Sequence, residues 1–333
     1  MINLKTLYGL PSFLESTDKF LSLELTFSVD NRKLTDQNIF IAIVGEKYNP
    51  LEFLDSVFSS GCRFVVYEKN LANDELIKPF LKKLVFITCS NIENFIQEAG
   101  QAVANSFKAR NGKIIAISGS NGKTTTKEML THILKNKLGE ECIVATLKND
   151  NNHLGVPFTL FQIHKDTSIA IVELGSNHPG EIEHLCKMIR PQYGVTTNIG
   201  DTHLEFFENR ENVFKEEGIL SEYASTVFFK NSDDEYLTKI DELERVKTYG
   251  EKGQDFKIEY GSICKINGVA IENKSIIGEH NFTNLLVAIA IASDVLSTPI
   301  ESLAKFASSF TPTSNRSQWI ENGKQRVFLD AYN

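Results

Sequence analysis

The most chemically expressive stretch of the chain is Gly119-Ser120-Asn121-Gly122-Lys123-Thr124-Thr125. It follows the apolar run Ile114–Ser118 and opens a helical stretch from Lys123 to about Lys137. A strand, a Gly-rich turn and a helix start, in that order, make a phosphate cradle. Glycines let backbone N–H groups turn toward phosphate oxygens, and the helix N-terminus adds the positive end of its dipole. Lys123 supplies a charge to β- and γ-phosphates. The Thr124 hydroxyl suits Mg2+, a hard cation that prefers oxygen. Ile117 stands where the first Gly of GxxxxGK[ST] would fall, so the loop has the shorter form GxxGKT.

Other candidates lie where strands should end. Glu173 follows Ser168–Val172 (SIAIV), which puts it at the carboxyl end of a strand, where doubly wound sheets place ligands. His203 follows Tyr193–Gly200 (YGVTTNIG) and could reach the same crevice. A carboxylate and an imidazole together can hold a divalent ion. Asn281 and Asn284, three apart, share a helix face, and their amides can cap that helix or pair with the donor–acceptor edge of a base. His178, His184 and Cys186 are close in sequence but lack zinc spacing and a second ligand pair.

Several elements must position these groups. Asn38–Val44 and Arg63–Tyr67 read as strands, Leu51–Ser60 as an amphipathic helix ended by Gly61, and Asn91–Arg110 as a longer helix. From Lys113 onward the runs Ile114–Ser118, Ser168–Val172, Tyr193–Thr197 and Ala224–Phe229 alternate with helical segments, the βαβ rhythm of a mostly parallel sheet. The charge-dense stretch Ser232–Lys257 reads as a solvated peripheral helix and loop, and Arg326–Leu329 as a last strand. The fold class expected is α/β: a small N-terminal α/β domain followed by a doubly wound, mostly parallel-sheet phosphate-loop ATPase domain. The boundary falls near Arg110.

Composition narrows the function classes. The 333 residues suggest two domains or three. With 41% hydrophobic and 23% charged residues the chain reads as globular. A formal charge of −8 argues against a nucleic-acid partner, which needs a basic surface. No apolar stretch reaches the 18 or so residues of a membrane helix, and no signal segment opens the chain, so a cytoplasmic protein without membrane insertion is expected. Cys62, Cys89, Cys142, Cys186 and Cys264 are scattered and odd in number, as in a reducing compartment.

Taken together, the motifs resemble the Mur ligases, which use ATP to build the peptide stem of peptidoglycan. GSNGKTTT is that family's form of the loop. Asn149–Pro157 (NDNNHLGVP) resembles its NxNNxxGxP segment, and Glu173–Asn177 (ELGSN) and Asn198–Glu205 (NIGDTHLE) its two metal segments. Gly278–Asn284 (GEHNFTN) resembles its adenine-contacting helix start, and Arg316 and Asp330 fall at its phosphate or ribose arginine and ribose acid. The resemblance runs from about Ser28 to the last residue. Within the family it is greatest to members that add D-alanyl-D-alanine to a UDP-N-acetylmuramoyl tripeptide.

The resemblance implies an ATP-dependent acid–amino-acid ligase working through an acyl phosphate, with ATP and Mg2+ as cofactors. Its partners are the UDP-N-acetylmuramoyl peptide and D-alanyl-D-alanine, and it acts as a monomer. Lys123, Glu173, His203 and Glu217 are then catalytic, and Thr124, Glu173 and His203 hold metal. Gly119 to Thr125 with Asn281, Asn284, Arg316 and Asp330 bind nucleotide. Ser28, Arg32, Gly45, Lys47, Asn149, Asn152 and His153 bind the UDP-sugar substrate. Glu217 occupies the place where most members carry a carbamylated lysine, so its carboxylate would serve without modification; the rival is a carbamylated Lys215. After Lys47 the chain departs from the family's usual Asp-Gly-His. The domains expected are 1–110 for the UDP-sugar, 111–315 for ATP, and 316–333 as hinge and first strand of a truncated C-terminal domain. Such a fragment should bind nucleotide but ligate poorly alone. Another Mur-type ligase (diaminopimelate-adding or folylpolyglutamate synthase-like) and a non-catalytic nucleotide-binding module are the alternatives.

Overall fold

A computed structural model describes the chain except for residues 19–22, 46–47, 72–73, 313–317, 324 and 330–333. Strands β1 (Ile2–Asn3), β2 (Phe13–Ser16), β3 (Glu24–Ser28) and β4 (Asn38–Ile41) precede helix α1 (Leu54–Ser59). Then come β5 (Phe64–Glu68), α2 (Asp74–Ile77), β6 (Val85–Cys89), α3 (Ile92–Ala109), β7 (Lys113–Ser118) and α4 (Lys123–Leu138). β8 (Ile143–Ala145), α5 (Gly155–Phe161), β9 (Ile169–Glu173), α6 (Glu181–Ile189) and β10 (Tyr193–Thr196) follow. Short helices α7 (Leu204–Phe207), α8 (Arg210–Gly218) and α9 (Leu220–Tyr223) lead to β11 (Val227–Asn231), β12 (Val246–Gly250), β13 (Phe256–Glu259), β14 (Cys264–Ile266) and β15 (Val269–Ile271). The described chain closes with α10 (Glu279–Leu296), α11 (Ile300–Ser308) and the hairpin β16 (Gln318–Asn322) and β17 (Gln325–Leu329).

By contacts the chain divides into two units, one of residues 1–112 with 146–167 and the other of 113–145 with 168–333. The first unit holds a six-stranded sheet in the order β1-β3-β4-β5-β6-β2, parallel from β3 to β6 and antiparallel at both edges. Phe40, Val65, Phe86, Leu54, Val57 and Phe80 form one of its cores. Helix α3 starts where the Asn91 side chain accepts the Asn94 N–H, and it buries Phe95, Ile96, Ala99 and Val103 along one stripe. Residues 146–167, assigned by sequence to the central domain, cluster with this unit instead. The reason is packing: α5 lies against α3, and a Cβ at Gly100 would sit only 3.0 Å from the Pro157 ring.

The second unit holds a nine-stranded sheet, β15-β14-β13-β12-β11-β10-β7-β9-β8, parallel from β8 to β13 and antiparallel beyond. β9 and β10 flank β7 on opposite sides, so the order switches direction around β7. Helix α10 packs on α4 and α11 and against β12, β13 and β14, which explains why Leu285–Ala292 are buried all round. The mixed α/β class and the parallel-rich sheets are those expected. The stretch 232–257 differs: it contains β12, paired in parallel with β11. Two of its exposed acids also hold the backbone. Asp233 accepts the Glu251 and Lys252 N–H groups, and Asp255 accepts that of Thr248.

Two outcomes follow for this architecture. A Cβ at Gly155 would lie 2.3 Å from the Asp150 carbonyl carbon. Gly155→Ala should therefore cost about 2 kcal/mol of stability, read from urea unfolding. All five thiols are free, and all but Cys142 are buried. Burial pushes Cys89 up to about 12 and raises Cys62 and Cys186 as well. An aromatic disulfide reagent should titrate Cys142 rapidly in the native protein and all five only after denaturation.

Candidate active site

The loop after β7 carries the expected geometry. Gly119 has φ +122°, and a Cβ there would meet the Thr197 hydroxyl at 2.3 Å and its backbone nitrogen at 2.8 Å. Only glycine fits that conformation and that space. Gly122, at φ +80°, begins α4 without any side-chain cap, leaving the first N–H groups of the helix to a ligand.

The exit of β10 clamps the loop. Register pairs Thr196 with Ser118 across β10 and β7. The Ser120 N–H donates to the Asn198 carbonyl at 2.9 Å and the Asn121 N–H to Asn198 Oδ1 at 3.2 Å. In return, Thr197 Oγ1 (2.5 Å) and Asn198 Nδ2 (2.9 Å) donate to the Asn121 carbonyl. The Gly200 N–H donates to Ser120 Oγ at 2.8 Å. Behind this layer, Asn231 Nδ2 and the Tyr249 hydroxyl donate to the Thr197 carbonyl. The peptide groups at 119–121 are thus held by protein.

Glu217 comes from α8 into the same place. Its Oε2 accepts the Gly119 N–H at 2.7 Å, and its Oε1 lies 4.0 Å from Lys123 Nζ. Lys123 Nζ also donates to the Gly119 carbonyl. Burial raises the Glu217 carboxyl, while the Lys123 charge and the Gly119 N–H pull it back down. Its neighbour Glu216 is buried too, but it accepts the Gly180 (2.6 Å) and Ile182 (2.8 Å) N–H groups and so caps α6. Lys215, on the same helix, is exposed and lines a separate groove with Phe214, Lys239 and Arg245.

Glu173 ends β9 opposite Ile117 of β7. The Thr124 hydroxyl donates to its Oε1 at 3.0 Å, and Lys127 Nζ stands 3.3 Å from its Oε2. A hydroxyl beside a carboxylate is a hard-oxygen pair that fits Mg2+, which takes few protein ligands and completes its shell with water and phosphate. Among the described residues no three His, Cys, Asp or Glu side chains converge as a zinc cage would need. His178 and His184 are exposed, whereas Cys186 is buried on α6. His203 lies beyond β10 with φ +48°, exposed, its Nδ1 3.9 Å from Glu205 Oε1.

Asn284 is buried with its amide against Gly122: a Cβ on that glycine would be 2.7 Å from Asn284 Oδ1. Asn281 donates from Nδ2 to the Ile277 carbonyl at 2.9 Å and lines a recess with Thr125, Glu128, Met129 and Phe310. The two amides therefore bracket the start of α4. Arg316 and Asp330 lie outside the described residues.

In the first unit, Ser28 ends β3 and Arg32 lies in the turn beyond it. Arg32 is already engaged: its guanidinium donates twice to Asp30, at 2.8 and 2.9 Å, which holds the Asp30 carboxyl down at about 2. Gly45 pairs with Tyr48 in a short bridge, and the Tyr48 ring stacks on Phe53 at 5.5 Å. Lys47 lies outside the described residues. Asn149 and His153 are exposed. Asn152 Oδ1 accepts the Leu154 (3.1 Å) and Gly155 (2.8 Å) N–H groups at the start of α5. Sequence reading passed over Lys127, although its position four residues after Lys123 on one helix face was a usable signal.

A parallel sheet that switches around β7, with a GxxGKT loop and a Thr–Glu oxygen pair, defines a phosphate-loop nucleotide-binding domain. Residues 117–292 match the Mur ligase middle domain, and the chain belongs to the Mur ligase family. One curated relative is the UDP-N-acetylmuramoyl-tripeptide–D-alanyl-D-alanine ligase of Buchnera aphidicola subsp. Baizongia pistaciae. It is 29% identical over 92% of this chain and 67% of its own length. The chain spans about two thirds of the length of such curated relatives. Crystal structure I of MurF from Acinetobacter baumannii shares the fold with a TM-score of 0.80 at 23% identity, over 100% of this chain and 73% of that one. A MurF ligase from Thermotoga maritima in complex with ADP gives a TM-score of 0.74 at 20% identity, over 93% and 71%.

The Glu217 pairing has a pH signature. With its carboxyl raised by burial, ionisation of Glu217 weighs against the folded state as pH rises through the raised value, and Lys123 offsets that loss. Lys123→Ala should therefore lower the melting temperature more at about pH 8 than at about pH 5, relative to the parent. Adding Glu217→Gln to that variant should remove the difference.

Proposed function

We propose that the protein is an ATP-dependent amide ligase of peptidoglycan precursor synthesis, acting in the cytoplasm. It joins D-alanyl-D-alanine to a UDP-N-acetylmuramoyl tripeptide. The observation that carries this reading is the uncapped start of α4, with Lys123, Thr124 and Glu173 gathered around it. The names of the relatives support the substrates.

A terminal carboxylate oxygen of the tripeptide attacks the γ-phosphorus of ATP, and ADP departs as the acyl phosphate forms. The amine of D-alanyl-D-alanine then adds to the acyl carbon. The tetrahedral intermediate expels phosphate and the nitrogen loses a proton, leaving the amide. Both reactants are anionic, so most of the protein's task is to hold them together against their repulsion. The α4 N–H groups and Lys123 take the β- and γ-phosphates. Thr124, Glu173 and His203 would hold Mg2+, with the Glu217 carboxylate in place of a carbamylated lysine, and the metal would supply charge neutralisation at the phosphate oxygens. Asn281 and Asn284 read adenine, and Arg316 and Asp330 the ribose and phosphate. Ser28, Arg32, Gly45, Lys47, Asn149, Asn152 and His153 serve the UDP-sugar; Asn152 does so by shaping its loop, and Arg32 must share its guanidinium with Asp30.

Calorimetric titration with ADP and magnesium tests the loop, and phosphate release with and without each substrate tests the chemistry. Lys123→Ala should weaken nucleotide binding at least about a hundredfold while keeping its far-UV circular dichroism. Undiminished nucleotide binding in that variant would refute the reading. Replacing D-alanyl-D-alanine with diaminopimelate or glutamate separates the other ligases of the family.

A further inference from the structure

Lys127 has no part in the phosphate loop, yet it is among the most buried lysines of the protein, with a side chain 4% exposed. It lies one helical turn beyond Lys123, and its ammonium faces Glu173 at 3.3 Å. The Glu173 carboxylate is buried as well and divides its oxygens, Oε2 toward Lys127 and Oε1 toward the Thr124 hydroxyl. An ammonium or a carboxylate this deep is strongly disfavoured unless paired, so each offsets the burial of the other. The rotamer of Glu173 is thereby set, with one oxygen retained by Lys127 and the other presented where Thr124 also points.

We propose that Lys127 is a positioning residue: the standing counter-ion of Glu173, which keeps that carboxylate oriented before metal arrives and moderates how tightly a divalent cation is held. This rests on the reading of Thr124 and Glu173 as the metal-holding pair. A lysine ammonium and a dication drawn to one carboxylate repel each other, so the lysine weakens metal binding while stabilising the metal-free protein. A structural ion pair alone would contribute equally with and without magnesium.

The test is the melting temperature of nucleotide-free protein against MgCl2 at constant ionic strength, together with ADP titrations across the same magnesium range. The variants are Lys127→Met and Lys127→Gln; the glutamine amide can still donate to Glu173 and so protects the fold. Both variants should melt lower than the parent without metal. Added magnesium should recover much of that loss, with a half-effect concentration at least about fivefold below that of the parent. A deficit unchanged by magnesium, or a higher magnesium requirement, overturns the proposal. If the parent's ADP binding shows no magnesium dependence, the metal-holding reading fails and the proposal falls with it. A magnesium effect in the parent that the Lys127 variants leave unmoved overturns the proposal alone.

Discussion

Two ammonium groups on one helix face, Lys127 buried and Lys123 half-buried, govern this structure. Lys123 and Lys127 both point into the protein at the start of α4, where a carboxylate must meet each of them. Glu217 and Glu173 do so, and they come from different elements, α8 and the end of β9. The loop, the strand β9 and the helix α8 therefore cannot be placed independently. Each charge fixes a backbone, and the uncapped helix start stays available because no protein side chain is spent on it.

The sheet supplies the other half of the constraint. Because β9 and β10 lie on either side of β7, their exits converge on the loop from two directions. One exit brings Glu173, and the other brings Thr197 and Asn198, which hold the peptide groups between Gly119 and Asn121. Ser118 and Thr196 then tie the two strands to the backbone of Glu217 itself, both hydroxyls donating to its carbonyl. The donors of the helix start are thus preorganised by hydrogen bonds that a ligand need not break.

The parts of this site legible in sequence are those written in local pattern. An apolar run followed by GSNGKTT specifies strand, turn and helix together, and Glu173 was placed by the run before it. The burial of Lys127 and of Glu217 was not legible, because RENVFKEEG and KTTTKEM look like solvated charge. Their burial comes from long-range pairing that no window of sequence contains. The same holds for residues 232–257, where acids that suggest a wet surface are backbone acceptors within turns around β12. Asn152 shows the converse: a motif residue whose visible work is to hold the turn into α5.

The first unit is discontinuous, since α5 and its flanking residues return to it after β7, α4 and β8 have been laid down in the second. On the ribosome, residues 1–112 emerge with one face of α3 still lacking the neighbour it packs on in the folded protein. That face must wait until Pro157 and Phe161 have been synthesised, by which time the phosphate loop is already out. Neither unit can then finish folding as a simple bead on a string. The order of synthesis interleaves them, and a single cut near residue 112 would leave the first unit without a helix of its own.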